Sequence, residues 1–313
     1  YELCEYLEYG NKLVILRSTV APGTTELIKN LIEKETGLVE GRDFYLVFAP
    51  ERVAQGVGIS ESRKFPQMVG AFSDQSYEKA KTFFDAFVPE CIQLEPREAE
   101  FGKLMTNMYR YVTFALANEF YMIGAEQNVD IHKVIAAANK GYSRMALPLP
   151  GPNVGGPCLF KDGKFLLETV QYDELIRNSF TINEGMPQFL FNHIMKENEK
   201  RPANNKIEKI GILGATFKAD CDDTRNSLSF KFAKICKRNG IAYDMFDPYI
   251  IHVDNVWPTD QVGDYDAFIV MTPHTQFKKF YEDHISKTKD VLIVDAWKFL
   301  DASKKTKHGI FYT

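Results

Sequence analysis

No stretch of this sequence is apolar for long enough to cross a bilayer, and nothing near its beginning resembles a secretory signal. An excess of one charge is also lacking. The 38 Lys and Arg stand against 42 Asp and Glu, and the net charge of −4 gives no reason to expect nucleic acid or an anionic membrane surface as a partner. Cysteine is sparse and scattered. The 5 thiols (Cys4, Cys91, Cys158, Cys221 and Cys236) are odd in number and form no C-x-x-C pair, which suggests neither a disulfide framework nor a structural zinc site, and reduced thiols in a cytoplasm fit best. The dinucleotide fingerprint G-x-G-x-x-G occurs nowhere. None of the 6 histidines adjoins the Cys158 stretch, so a cysteine hydrolase lacks an evident base, although sequence distance does not bound spatial distance. An initial Met is missing too: residues 1–8 read as the end of a helix, and the chain is expected to begin partway through a domain.

What the chain has is a Pro/Gly-rich loop that ends in one cysteine: Pro150-Gly151-Pro152-Asn153-Val154-Gly155-Gly156-Pro157-Cys158, then Leu159-Phe160-Lys161-Asp162. Pro157 suits the first position of a helix. Cys158 then falls in the first turn, where unpaired amides and the helix dipole favour a thiolate. Lys161 and Asp162 follow at i+3 and i+4, which can bring a cation and a base to the face of the sulfur. The same residues also read as a buried cysteine after a loop, with two solvated charges behind it.

With 313 residues, 45% hydrophobic and 26% charged, the chain has room for two or three globular domains. Strands are expected at 12–17, 44–48, 67–71 and 90–94, alternating with helices at 25–35 and 76–87, which indicates a parallel α/β layer. Thr24 or Thr25 is expected to cap the first of those helices. Thr19 lies in a polar turn past one strand and Glu51 just past another, where α/β folds place ligands. From 98 to 127 a helix apolar nearly all round is expected, central or at a subunit interface, with Lys103 and Asn107 one turn apart. Helices at 131–139 and 170–192 follow, the latter kinked or restarted at Pro187, and 197–206 reads as a linker. A second α/β unit then has strands at 209–214, 242–246, 267–272 and 291–295 and a helix at 229–239. The pair Gly211-x-x-Gly214 is a weak nucleotide signal, and the charged segment 217–225 also reads as a solvated loop.

In order and spacing, STVAPGTT (18–25), APERVAQG (49–56), the segment 100–107, GPNVGGPCLFKD (151–162) and GATFKADCDDTRNS (214–227) resemble the nucleotide-sugar 6-dehydrogenases of the UDP-glucose/GDP-mannose dehydrogenase family. The resemblance covers the whole chain. It implies the second half of a Rossmann-like NAD-binding domain (1–95), with the Gly-rich NAD turn upstream. It also implies a central helical domain that dimerises through its long helix and carries the cysteine (96–203), and a Rossmann-like domain that holds the UDP-sugar (204–313). The implied reaction is a four-electron oxidation of a sugar C6 alcohol to a carboxylate with two NAD+, through an aldehyde, a Cys158 adduct and a thioester. Lys103 and Asn107 would stabilise the oxyanion, and Asp162 with Glu51 would move a proton or position water. Thr19 matches the threonine that family members place near the cofactor and the catalytic water, and Lys161 and Arg225 match cofactor-side positions. Glu51, Arg52, Lys103, Asn107, Arg144, Gly155, Gly156, Phe217 and Lys218 match substrate-side positions, Arg144 as the arginine that enters a neighbouring subunit's sugar site.

The residues also bear on the sugar. Pro50-Glu51-Arg52-Val53 and GPNVGGPC resemble the N-acetylhexosamine branch, whereas Cys158-x-x-Lys161-Asp162 resembles the UDP-glucose type. Trp297 stands where UDP-glucose members tend to carry a substrate-binding arginine. The expectation is UDP-N-acetylmannosamine, ahead of UDP-N-acetylglucosamine and UDP-glucose. A UDP-sugar-binding dimer without catalysis is the alternative from another class.

Overall fold

The computed structural model describes residues 2–7, 10–53, 61–167, 170–250, 262–288 and 291–301, and the backbone of 310–311. Residues 1 and 8 of the first expected helix and 54–56 of the second motif lie outside the described residues, as do His252 and His308.

The chain opens with α1 (Glu2–Leu7), β1 (Lys12–Leu16), α2 (Thr24–Thr36), β2 (Phe44–Phe48), β3 (Gln67–Ala71), α3 (Asp74–Phe84) and β4 (Cys91–Leu94). The helices α4 (Pro96–Gln127), α5 (Ile131–Asn139), α6 (Gly156–Leu167) and α7 (Glu174–Lys200) follow. The chain continues with β5 (Lys209–Leu213), α8 (Ser229–Arg238), β6 (Ala242–Phe246), β7 (Ala267–Val270), α9 (Gln276–Asp283), β8 (Leu292–Val294) and β9 (Ile310–Phe311). Two compact units form, one from Tyr1–Tyr109 with Lys161–Tyr172 and one from Arg110–Phe160 with Asp173–Thr313. Among the described residues no helix is long and apolar enough to cross a membrane.

In the first unit the sheet order is β1-β2-β3-β4. Side chains alternate across β2. Val47 packs with Tyr77, Ala80 and Phe84 of α3, while Phe44 and Leu46 pack with Ile32 of α2 on the other face. The sheet is mixed, which corrects the expected parallel layer: β1–β2 and β3–β4 run parallel, but β2 and β3 pair antiparallel through Val47↔Ala71 and Phe48↔Gly70. A parallel neighbour needs a crossover connection, whereas an antiparallel one does not. The expected threonine cap is also replaced. The Thr24 hydroxyl donates back to the Ala21 carbonyl, and the amides of Gly23 and Thr25 donate to the carboxylate of Glu100, a buried residue of α4. A carboxylate there meets both the orphan amides and the positive end of the helix dipole.

In the second unit all pairings are parallel, in the order β6-β5-β7-β8-β9. Met186, Leu190 and Ile194 of α7 and Phe232 of α8 cover Ile210 and Ile212, while Phe277, Phe280 and Tyr281 of α9 cover Phe268, Val270 and Ile293. The Gly211/Gly214 pair answers to packing. A Cβ on Gly211 would strike the Phe268 ring, and Gly214, at φ +100°, lies against Thr272. Helix α7 runs through Pro187 without a break in its assignment, and that proline is buried. It also continues to Lys200, so the expected linker starts later. Lys-Glu-Asn-Glu-Lys is adequate helix sequence, and Pro202 provides the stop.

Candidate active site

In the first unit α4 and α6 bring two expected residues together. Asn107 donates from Nδ2 to Asp162 Oδ2 at 2.6 Å, and the Asp162 side chain is out of water, with the residue 1% exposed. Asn107 is itself buried, 7% exposed. Lys103 is half-buried one turn earlier on α4. Lys161 stays exposed, its ammonium 5.5 Å from the centre of the Phe165 ring. Thr19 is half-buried past the end of β1.

Glu51 pairs with the Arg17 guanidinium and accepts the amides of Arg52 at 2.8 Å and Val53 at 3.1 Å. Partial burial pushes its carboxyl up, but those amides and Arg17 outweigh it and hold the group below the usual carboxylate range. Arg52 donates to the Pro66 carbonyl, and burial lowers its guanidinium below the ordinary value. Arg17 was missed from sequence. Its only signal is its place as the residue that follows β1 at its carboxyl end.

In the second unit the loop before α6 is fastened at each step. The Gly151 amide donates to Asn118 Oδ1 at 2.9 Å, Asn118 donates to Asn183, and Asn183 donates to the Tyr111 carbonyl. The Trp297 ring lies against Gly151, and its Nε1–H donates to the Met271 carbonyl at 3.1 Å. Gly155 (φ +95°) sits where a Cβ would come within 2.5 Å of the Tyr111 ring, and Gly156 (φ +53°) is pressed against the Phe217 ring. Only glycine tolerates those angles with rings that close. The loop delivers Cys158 to the first turn of α6 with its side chain exposed, which overturns the buried-cysteine reading. Asp162, in turn, is not a solvated charge.

The segment 217–225 is more ordered than a solvated loop. Arg225 is exposed but held in a fork by Asp223 at 2.9 and 2.7 Å, and its guanidinium lies within electrostatic reach of Cys158. The Phe217 amide donates to the Asp223 carbonyl at 3.0 Å. Lys218 is exposed, and its carbonyl accepts the Thr216 hydroxyl. Arg144 is exposed and rests 4.8 Å from the centre of the Tyr142 ring.

Beneath that segment lies a network that the sequence did not reveal. The Asp220 amide donates to His274 Nδ1 at 3.0 Å, so Nδ1 carries no proton and Nε2–H faces Asp247 Oδ2 at 3.0 Å. Asp247 also accepts the amides of Ala215, Thr216 and Tyr249. Burial raises its carboxyl, yet His274 and the amides outweigh it and hold the group below the usual range. Both residues follow apolar strands, but nothing in sequence pairs them.

Comparison with known proteins gives three family-model matches. They are the NAD-binding domain (residues 2–88), the central domain (97–184) and the UDP-binding domain (211–302) of the UDP-glucose/GDP-mannose dehydrogenase family. The chain is 36% identical to a UDP-N-acetyl-D-mannosamine dehydrogenase of Pyrococcus horikoshii, over 94% of this chain and 70% of that protein. It is 33% identical to the same-named protein of Methanocaldococcus jannaschii, over 97% and 70%. The solved structure of UDP-D-ManNAc dehydrogenase from Pyrococcus horikoshii superposes with a TM-score of 0.86 at 34% identity, covering 96% of this chain and 74% of that one. A UDP-N-acetyl-mannosamine dehydrogenase from Staphylococcus aureus gives 0.79 at 32%, covering 94% and 69%.

Proposed function

The chain belongs to the UDP-glucose/GDP-mannose dehydrogenase family, and from that premise we propose that it oxidises the C6 alcohol of UDP-N-acetylmannosamine to the uronate with two NAD+ per sugar. The observation that carries the chemistry is Cys158, an exposed thiol in the first turn of a helix whose preceding loop is held by buried hydrogen bonds and aromatic rings. An immobilised nucleophile avoids part of the entropy cost of reaction.

The cysteine adds through sulfur to the C6 aldehyde left by the first oxidation. The adduct loses the C6 hydrogen as hydride, which leaves a thioester, and water then releases the carboxylate and restores the thiol. Lys103 and the second N–H of the Asn107 carboxamide stabilise the oxyanion, while Asp162, by accepting the first, fixes the orientation of that amide. Glu51 is held ionised and is a weak proton acceptor, so it suits orientation of the hydrolytic water, and Asp162 suits proton removal. NAD+ supplies the hydride acceptor. The donors fit such an anion: Lys161 and Arg225 are exposed cations, and Thr19 offers a hydroxyl past the end of β1. Arg52, Arg144, the Gly155–Gly156 backbone, Phe217 and Lys218 bind the UDP-sugar. Trp297, committed to Gly151 and the Met271 carbonyl, is a packing residue where UDP-glucose members tend to use an arginine, which favours the N-acetylhexosamine branch.

Three domains underlie this reading: an NAD-binding part to residue 95, a central helical part to 203 and a UDP-sugar part beyond it. The partner is a second copy. Phe101, Met105, Tyr109, Leu116, Phe120 and Ile123 are exposed at coiled-coil-like spacing along α4, a seam suited to a self-pairing helix. The 5 cysteines are free, as suits a reducing cytoplasm. The sugar is tested by kcat/KM of the natural polypeptide for UDP-N-acetylmannosamine, UDP-N-acetylglucosamine and UDP-glucose. The first is expected to lead, and a lead for UDP-glucose would reject the assignment.

A further inference from the structure

In the second unit β6 and β7 flank β5, so the loops that leave the carboxyl ends of β5 and β7 diverge. That divergence opens the crevice where open α/β sheets take their ligands. Here one side chain from outside the sheet enters it. Asn153, 3% exposed, donates from Nδ2 to the Thr216 carbonyl at 2.8 Å and lies 3.1 Å from Thr272 Oγ1 and 3.0 Å from Ser227 Oγ. Its Oδ1 accepts the Leu228 amide at 3.0 Å. A single carboxamide thus joins the loop after β5, the loop after β7 and the entry to α8.

The other end of the connection is the thiol. Asn153 precedes Cys158 by one short segment, and within it Gly156 is pressed against Phe217, the neighbour of Thr216. Any shift of Thr216 and Phe217 therefore reaches the start of α6 by two routes, the Asn153 carboxamide and the Phe217 ring. Only a group that is both donor and acceptor serves the Thr216 carbonyl and the Leu228 amide together.

We propose that Asn153 is a positioning residue that couples binding of the nucleotide half of the substrate on the 216–228 loop to the placement of the Cys158 thiol. This rests on the functional reading above. Binding would then set the nucleophile, and the coupling would be lost when the carboxamide is removed.

The test measures alkylation of Cys158 by iodoacetamide, located by peptide mass mapping, with and without UDP. UDP has no hexose and so does not cover the thiol. The natural polypeptide is compared with Asn153→Ala and Asn153→Asp, and UDP binding is followed by calorimetry alongside kcat. UDP is expected to change the Cys158 rate several-fold in the native protein. In Asn153→Ala it should change it by none while UDP still binds, and kcat should fall on the order of ten-fold or more with the KM for NAD+ unchanged. Asn153→Asp has the same shape. It should be uncoupled when ionised and regain coupling as the pH is lowered, because the neutral acid again donates to Thr216 and accepts from Leu228. Native UDP-sensitivity retained in Asn153→Ala, or alkylation indifferent to bound UDP in the native protein, would overturn this inference alone. Absence of UDP binding to the native protein would sink the functional reading and this inference with it.

Discussion

Asp247 and His274 show what a single buried pair does for the loop above it. The carboxylate collects three amides and an imidazole N–H out of water; without it the amides would lose their acceptor, and the imidazole would keep only the Thr216 hydroxyl at 3.0 Å. Asp247→Asn keeps one acceptor but turns an NH2 toward those donors, and about 2–4 kcal/mol of stability should be lost in urea denaturation. Sign follows from direction. A carboxyl held below its unfolded value adds stability above the unfolded pKa and loses it as the pH falls through the folded one. Native stability should therefore drop below about pH 4, and Asp247→Asn should flatten that slope. At this scale the sequence was readable where chemistry is local. Cys158, Asp162 and Asn107 were marked by helical spacing and by motif, and Gly155 and Gly156 by composition. Asn153, Arg17, Asp247 and His274 were not, because their roles depend on partners from distant segments; the Asn153–Thr272 bond spans 119 positions.

Among the elements, the glycine-rich entry to α6 is the most constrained. Gly155 and Gly141 both adopt positive φ, but a Cβ on Gly141 would meet nothing within 4 Å, whereas one on Gly155 would meet the Tyr111 ring. Gly141→Ala should cost only the backbone strain, about 1–2 kcal/mol. Gly155→Ala should add the clash, with a lower melting temperature than Gly141→Ala and loss of turnover. Equal melting temperatures would mean that the loop yields to Tyr111. Strands β5 to β8 were readable because apolar runs end in glycine or polar turns. The direction of β3 was not, since a strand's residues do not record which way its neighbour runs and only the connection does. The cap of α2 went to Glu100 for a related reason: local threonines compete with a carboxylate that arrives from α4 only once the chain has folded.

At the scale of the whole molecule the reading bears on pairing and on chemistry. If the proposed self-pairing runs through the exposed face of α4, Leu116→Glu with Phe120→Glu should halve the mass measured by light scattering. An unchanged mass would reject α4 as the seam. The family's architecture was legible from five ordered motifs without a G-x-G-x-x-G fingerprint among them, because loop chemistry and spacing are specific together where each is weak alone. The central claim is that Cys158 carries the second oxidation. The measurement that tests it most directly is the number of NADH formed per UDP-N-acetylmannosamine consumed, by the natural polypeptide and by Cys158→Ser. The account predicts two for the native protein and no more than one for the variant. Two from Cys158→Ser would contradict it.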